Sequence, residues 1–132
     1  MEREVKNGNG FKHDSEECKS SISALDDALY VIGGKWKLRI IGVLREYKRQ
    51  RFNELQRTLK ISSKVLSNEL KQLEMNGFIA RHVTGDNPTI VEYELTEYCD
   101  TLSDVLSSLI AWGSRHRRKI QHGDEPIMKK AV

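Results

Sequence analysis

The sequence predicts a mostly α-helical domain with one small β-hairpin, and three observations predict it. Apolar residues return at spacings of three and four in five separate stretches, the mark of helices with one buried face. Period-two alternation flanks a single turn-rich segment, as in a hairpin. The chain has 132 residues, 38% of them hydrophobic and 31% charged, which suits one globular domain with long solvated helix faces.

Residues 1–17 are polar, contain Asn7-Gly8-Asn9-Gly10 and show no apolar period, so a flexible arm is expected there. Ile22, Leu25, Leu29 and Ile32 then repeat at helical spacing, and Gly33-Gly34 stops that helix. A second helix follows at once with Trp36, Ile40, Val43, Leu44 and Tyr47 along one side, and residues 45–51 read as a charged connector. A short third helix carries Phe52, Leu55 and Leu59 and starts near Asn53. Ser62 is a good N-cap for a fourth helix, which sets Leu66, Leu70 and Leu73 on one face and ends at Asn76-Gly77.

Residues 78–83 and 90–95 read as two strands, with Gly85-Asp86-Asn87-Pro88 supplying the turn chemistry between them. Thr96 is placed to cap a long last helix bearing Leu102, Val105, Leu106, Leu109, Ile110 and Trp112. The expected domain spans residues 18–120, and residues 121–132 form a polar, flexible tail.

The net charge is only +3, yet it is unevenly placed. Residues 34–83 hold twelve basic against four acidic side chains, a local +8, whereas residues 84–100 hold five acids and no Lys or Arg. A basic middle suits a polyanion, although a basic face can equally be solvated surface. Two cysteines, Cys18 and Cys99, exclude a disulfide framework and a zinc knuckle. The N-terminus lacks a signal-like apolar run and no stretch approaches a membrane span, so a cytoplasmic protein with reduced thiols is expected.

No constellation for catalysis is visible. His13, His82, His116 and His122 have no metal spacing, Glu92 and Glu94 lack a partner nucleophile, and no Gly-rich phosphate loop precedes a strand. Neither an enzyme activity nor a cofactor or metal is expected. The element order instead gives three central helices and a two-stranded wing, the winged variant of the helix-turn-helix, in which the second helix of the pair enters the major groove. The first and last helices exceed what such a core needs. Leu25, Leu29, Leu102, Leu106, Leu109 and Trp112 are therefore expected to build a homodimer interface.

Several blocks in order resemble HxlR-type transcription regulators, relatives of the MarR-type regulators. They are ALYVIGGKWKL at 28–38, RFNEL at 51–55, ISSKVLSNEL at 61–70, LEMNGFI at 73–79, VEYELT at 91–96 and AWG at 111–113. The resemblance covers roughly residues 22–113 and implies a bacterial or archaeal homodimeric DNA-binding regulator. Two positions depart from the pattern. Many members carry a cysteine followed by proline just before the first helix, whereas Cys18 precedes Lys19 and lies further from Gly33. A basic residue often precedes the last strand's Val-Glu-Tyr, and here that residue is Ile90, which shifts the expected wing contact to Arg81 or His82.

The expected DNA-binding residues are of two kinds. Ser62, Ser63, Lys64, Ser67, Asn68 and Lys71 combine short hydroxyls, an amide able to read adenine and basic ends on the fourth helix; the plain alternative is a solvated face. Lys35 and Lys37, at the start of the second helix, suit a phosphate, unless Gly33-Gly34 is only a tight corner. Arg81, His82 and Asn87 belong to the wing. Cys99 falls in the first turn of the last helix, where the dipole would lower its pKa. Cys18, in an accessible arm beside Lys19, is the candidate redox sensor. The functional expectation is a regulator that binds double-stranded DNA at an inverted-repeat operator. The alternative is a winged-helix module for protein–protein assembly. The sequence does not specify an inducer.

Overall fold

The computed structural model describes residues 16–122. The expected arm and tail therefore lie outside the described residues, apart from Glu16 and Glu17, which open the first helix, and residues 121–122, which end the last. The elements run α1 (Glu16–Ile32), α2 (Lys37–Tyr47), β1 (Gln50–Arg51), α3 (Phe52–Leu59), α4 (Ser63–Met75), β2 (Ile79–Thr84), β3 (Ile90–Leu95), a 3₁₀ turn (Tyr98–Leu102) and α5 (Ser103–Gln121). A mostly helical winged fold is what the periodicities predict.

Local chemistry sets the boundaries. Gly33 donates its N–H to the Leu29 carbonyl at 2.8 Å, and Gly34 takes φ 93°, turning the chain out of α1. The Glu54 carboxylate accepts from the Arg51 N–H at 2.7 Å, satisfying a free donor at the start of α3. Ser62 Oγ accepts from the Val65 N–H at 3.2 Å, the N-cap the sequence predicts for α4.

The wing is a sheet of three strands, not two, in the order β1-β3-β2. β2 and β3 pair antiparallel from Ile79 opposite Leu95 to Thr84 opposite Ile90, and β1 adds Gln50 opposite Tyr93 and Arg51 opposite Glu92. β1 has only two residues and no apolar alternation. It forms because the link from α2 to α3 lies along the free edge of β3, whose N–H and C=O groups need partners.

Thr96 caps the 3₁₀ turn, and α5 begins only at Ser103. The Thr96 hydroxyl accepts from the Cys99 N–H and donates to the Gly77 carbonyl, tying the end of the sheet to the end of α4. Phe78 and Tyr98 stack with ring centroids 5.3 Å apart and hold that junction.

The core is continuous through Ile40, Ile41 and Leu44 of α2, Leu55 and Leu59 of α3, Leu66, Leu70 and Leu73 of α4, and Phe78, Ile79 and Tyr93 of the sheet. Leu106 is buried in this same core and Leu102 packs against it, so these two of the six expected interface residues serve their own chain. The reason is geometric: the first turns of α5 lie on α2 and the sheet before the helix leaves the body. α1 joins the core only at its end, through Ile32 and, beside it, Val31.

Leu55 is completely shielded from solvent. Leu55→Ala should lower the free energy of unfolding by about 2–5 kcal/mol, read as a shifted urea midpoint with little change in slope. An unchanged midpoint would contradict this core.

Candidate nucleic-acid interface

α3 and α4 meet at the left-handed residue Lys60 (φ 55°), and α4 is seated by its three leucines. With those facing inward, helical geometry turns Lys64, Asn68 and Lys71 outward, and all three are exposed. Ser67 is half-buried beside them, and Ser62 and Ser63 are exposed at the helix start. Of the six residues expected here, Lys64, Asn68 and Lys71 share the outward side of the helix, and Ser62 and Ser63 lie at its start. Ser62 Oγ is already used as the cap acceptor, which leaves it a donor.

The residues at the start of α2 divide. Lys35 is exposed, with its ammonium 5.0 Å from the centroid of the Trp36 ring, and the Arg39 guanidinium lies 4.5 Å from the same ring. Lys37 corrects the sequence expectation. Its side chain is only 10% exposed and its Nζ donates to Glu69 Oε1 at 2.8 Å, so in this fold it faces α4 instead of standing open at the helix start. Lys35 precedes α2, whereas Lys37 opens it on the side where α4 runs.

In the wing, Arg81 and Asn87 are exposed, the latter at the hairpin tip. His82 is engaged on the outer sheet face, its Nε2 2.8 Å from Glu94 Oε1. Arg49 bridges the same face, 3.2 Å from Glu94 and 3.5 Å from Glu92. Glu92 and Glu94 are therefore partnered acids, and Arg49 is a residue that sequence reasoning passed over. The +8 middle beside the acidic strand was the available signal. These side chains are 29–44% exposed, so each contact is worth about 0–1 kcal/mol and the cluster orients the wing root more than it stabilises the fold.

The thiols also differ from expectation. Cys18 lies in the first turn of α1, partly buried, instead of in an arm. Cys99 is buried in the 3₁₀ turn. Burial, and secondarily the Asp100 carboxylate, push its thiol above the ordinary value, opposite to the expected dipole effect. The cavity beside it, lined by Ile41, Leu95, Leu102 and Leu106 among others, holds about 50 Å³, well below the roughly 300–1,000 Å³ of small-molecule sites.

Two apolar surfaces remain uncovered. Leu25 and Leu29 of α1 are 53% and 55% exposed, and Leu109 and Trp112 of α5 are 47% and 57% exposed. Among the described residues no group of three or more His, Cys, Asp or Glu is placed to hold a metal, and no helix is long and apolar enough to cross a membrane.

A family model described as HxlR-like helix-turn-helix matches residues 31–121. The HTH-type transcriptional regulator YtcD of Bacillus subtilis (strain 168) is 38% identical over 118 residues, covering 89% of this chain and 92% of that protein. A crystal structure of a putative HTH-type transcriptional regulator ytcD superposes with a TM-score of 0.68 at 41% identity, over 71% of this chain and 96% of that one. A MarR-family regulator from Enterococcus faecalis V583 gives 0.66 at 32% identity, over 86% and 99% of the two chains.

The raised pKa of Cys99 has a measurable sign. In a Cys18→Ser protein, where Cys99 is the sole thiol, native protein at neutral pH should react with a disulfide reagent far more slowly than unfolded protein. Stability from the buried neutral thiol is present below its ordinary value of 9.0 and is lost as pH rises through the higher folded value. Equal native and unfolded labelling rates would refute the buried assignment.

Proposed function

This chain belongs to the HxlR-like helix-turn-helix family of transcriptional regulators, and we propose that it acts as a homodimer on an inverted-repeat operator, with α4 in the major groove. The observation that carries the reading is the outward side of α4. Lys64, Asn68 and Lys71 are exposed there together, and the one acid in its central turns, Glu69, is already paired with Lys37. A basic, amide-bearing helix side free of uncompensated carboxylate is what a groove of base edges and flanking phosphates requires.

In this arrangement Asn68 reads a base and Lys64 and Lys71 hold phosphates. Ser62, Ser63 and Ser67 add hydroxyl contacts at the helix start, and Lys35 reaches the backbone from the bend before α2. Arg81 and Asn87 carry the wing into the neighbouring groove. His82, turned to Glu94, supports the wing from behind.

The dimer is supported by two helices that leave large apolar side chains about half exposed in a single chain. α1 is 17 residues long and contributes only Ile32 to the buried core, while α5 contributes only Leu106. Apolar rows on two projecting helices are the surface a two-fold interface buries. Leu25, Leu29, Leu109 and Trp112 form it, whereas Leu102 and Leu106 brace its base.

Titration of a mixed-sequence duplex against salt tests the reading, because neutralised phosphates release counterions. Lys64→Ala should weaken every duplex alike and reduce the slope of log K against log salt by about 0.9. Asn68→Ala should instead relax preference at one base pair by about 1–3 kcal/mol. An absence of DNA affinity at low salt would favour the protein–protein module.

The interface has its own check. Leu109→Glu places a charge on the proposed contact without touching the core, so light scattering should show a folded monomer and operator affinity should fall. A wild-type monomer that binds the operator tightly would defeat the dimer.

A further inference from the structure

The Lys37–Glu69 pair joins the reading helix to a residue outside the helix-turn-helix. Glu69 follows Asn68 by one residue, and lies three after Leu66 and four before Leu73. Helical geometry therefore sets it at the border between the buried and outward sides of α4. Lys37 approaches that border from the first turn of α2, and both side chains are largely covered, at 10% and 20% exposure. A lysine buried to this degree needs a partner, and Glu69 Oε1 at 2.8 Å supplies it.

Stability alone does not require this arrangement, since an apolar pair of similar volume would serve a covered contact as well or better. An ion pair adds two properties that leucines lack. A charge-assisted hydrogen bond is directional, so it favours one rotation of α4 about its axis. The ammonium also cancels a carboxylate that would otherwise stand beside Asn68, facing the phosphates of any duplex in the groove.

We infer that Lys37 is a positioning residue for DNA recognition: through Glu69 it fixes the rotation of α4 and neutralises the acid next to the base-reading amide. The role rests on the DNA-binding reading above. Lys37 touches no DNA in it, which reverses the assignment that its charge and sequence position suggest.

The experiment uses the full chain and two probes, a duplex enriched from a random pool by the wild type and the unselected pool itself. Affinity is read below each variant's denaturation midpoint, so unfolding does not enter. Lys37→Gln, which leaves Glu69 as an unpaired acid, should lose about tenfold on the enriched duplex with the salt slope unchanged. Glu69→Gln keeps an acceptor for the ammonium and should stay close to wild type. The double variant Lys37→Gln/Glu69→Gln, with no carboxylate left beside the groove, should recover most of the affinity lost by Lys37→Gln.

A Lys37→Gln slope reduced by about 0.9, with no recovery in the double variant, would overturn the inference and make Lys37 a phosphate contact. Full affinity in Lys37→Gln would overturn it as well. A wild-type protein with no affinity for either probe would instead bring down the DNA-binding reading, and this role with it.

Discussion

The seat of α4 is the constraint on which the other features depend. Leu66, Leu70 and Leu73 are buried against α2, α3 and the sheet, each contributing about 1.5–3 kcal/mol by leaving water. Because these three positions must face inward, helical geometry leaves Lys64, Asn68 and Lys71 facing outward. The hydrophobic effect has no direction of its own, yet it fixes which side chains a duplex can meet. The polar contacts around the helix then refine a placement that packing has already chosen. Ser62 sets its first turn, Thr96 ties its far end to the sheet through Gly77, and Glu69 settles its flank.

The two charge excesses in the chain have different destinations. Two of the five acids in the acidic stretch, Glu92 and Glu94, are engaged by Arg49 and His82 on the outer sheet face. Among the basic residues, Arg49 and Lys37 are engaged within the chain, Arg45 donates to Ser107 across α2 and α5, and Lys35 and Arg39 crowd the Trp36 ring. Of the seven other basic residues in 34–83, Lys64 and Lys71 lie on α4 and Arg81 on the wing, while Lys48, Arg51, Arg57 and Lys60 lie between α2 and α4. Net charge by segment therefore overstates the surface offered to a polyanion, and partner geometry corrects it.

Element types were legible in the sequence because they follow from short-range periodicity and turn chemistry. The leucine spacing of α4, its serine cap and the alternation of β3 each involve residues within a few positions of one another. The misses share a different origin. β1 has no pattern of its own and exists through an edge that lies some forty positions further on. Lys37 and Lys35 look equivalent in the sequence, and only the path of α4 separates them. The apolar row of α5 is unbroken along the chain, but the helix leaves the body partway, so Leu106 and Leu109 end in different environments. Cys99 was placed one element too late, and its burial reversed the direction of its pKa.

Among the described residues, α1 reaches the buried core only at its last turn, beside Gly33 and Gly34. An isolated helix of 17 residues is marginal in water, since its hydrogen bonds barely offset the entropy of ordering it. In the proposed dimer its partner supplies the missing apolar cover, so folding of this segment and association of two chains become one equilibrium. The helix content of the regulator would then follow its own abundance. A dilute cell would hold chains with a complete reading head and a half-formed arm, and rising copy number would complete the arm and pair the heads together.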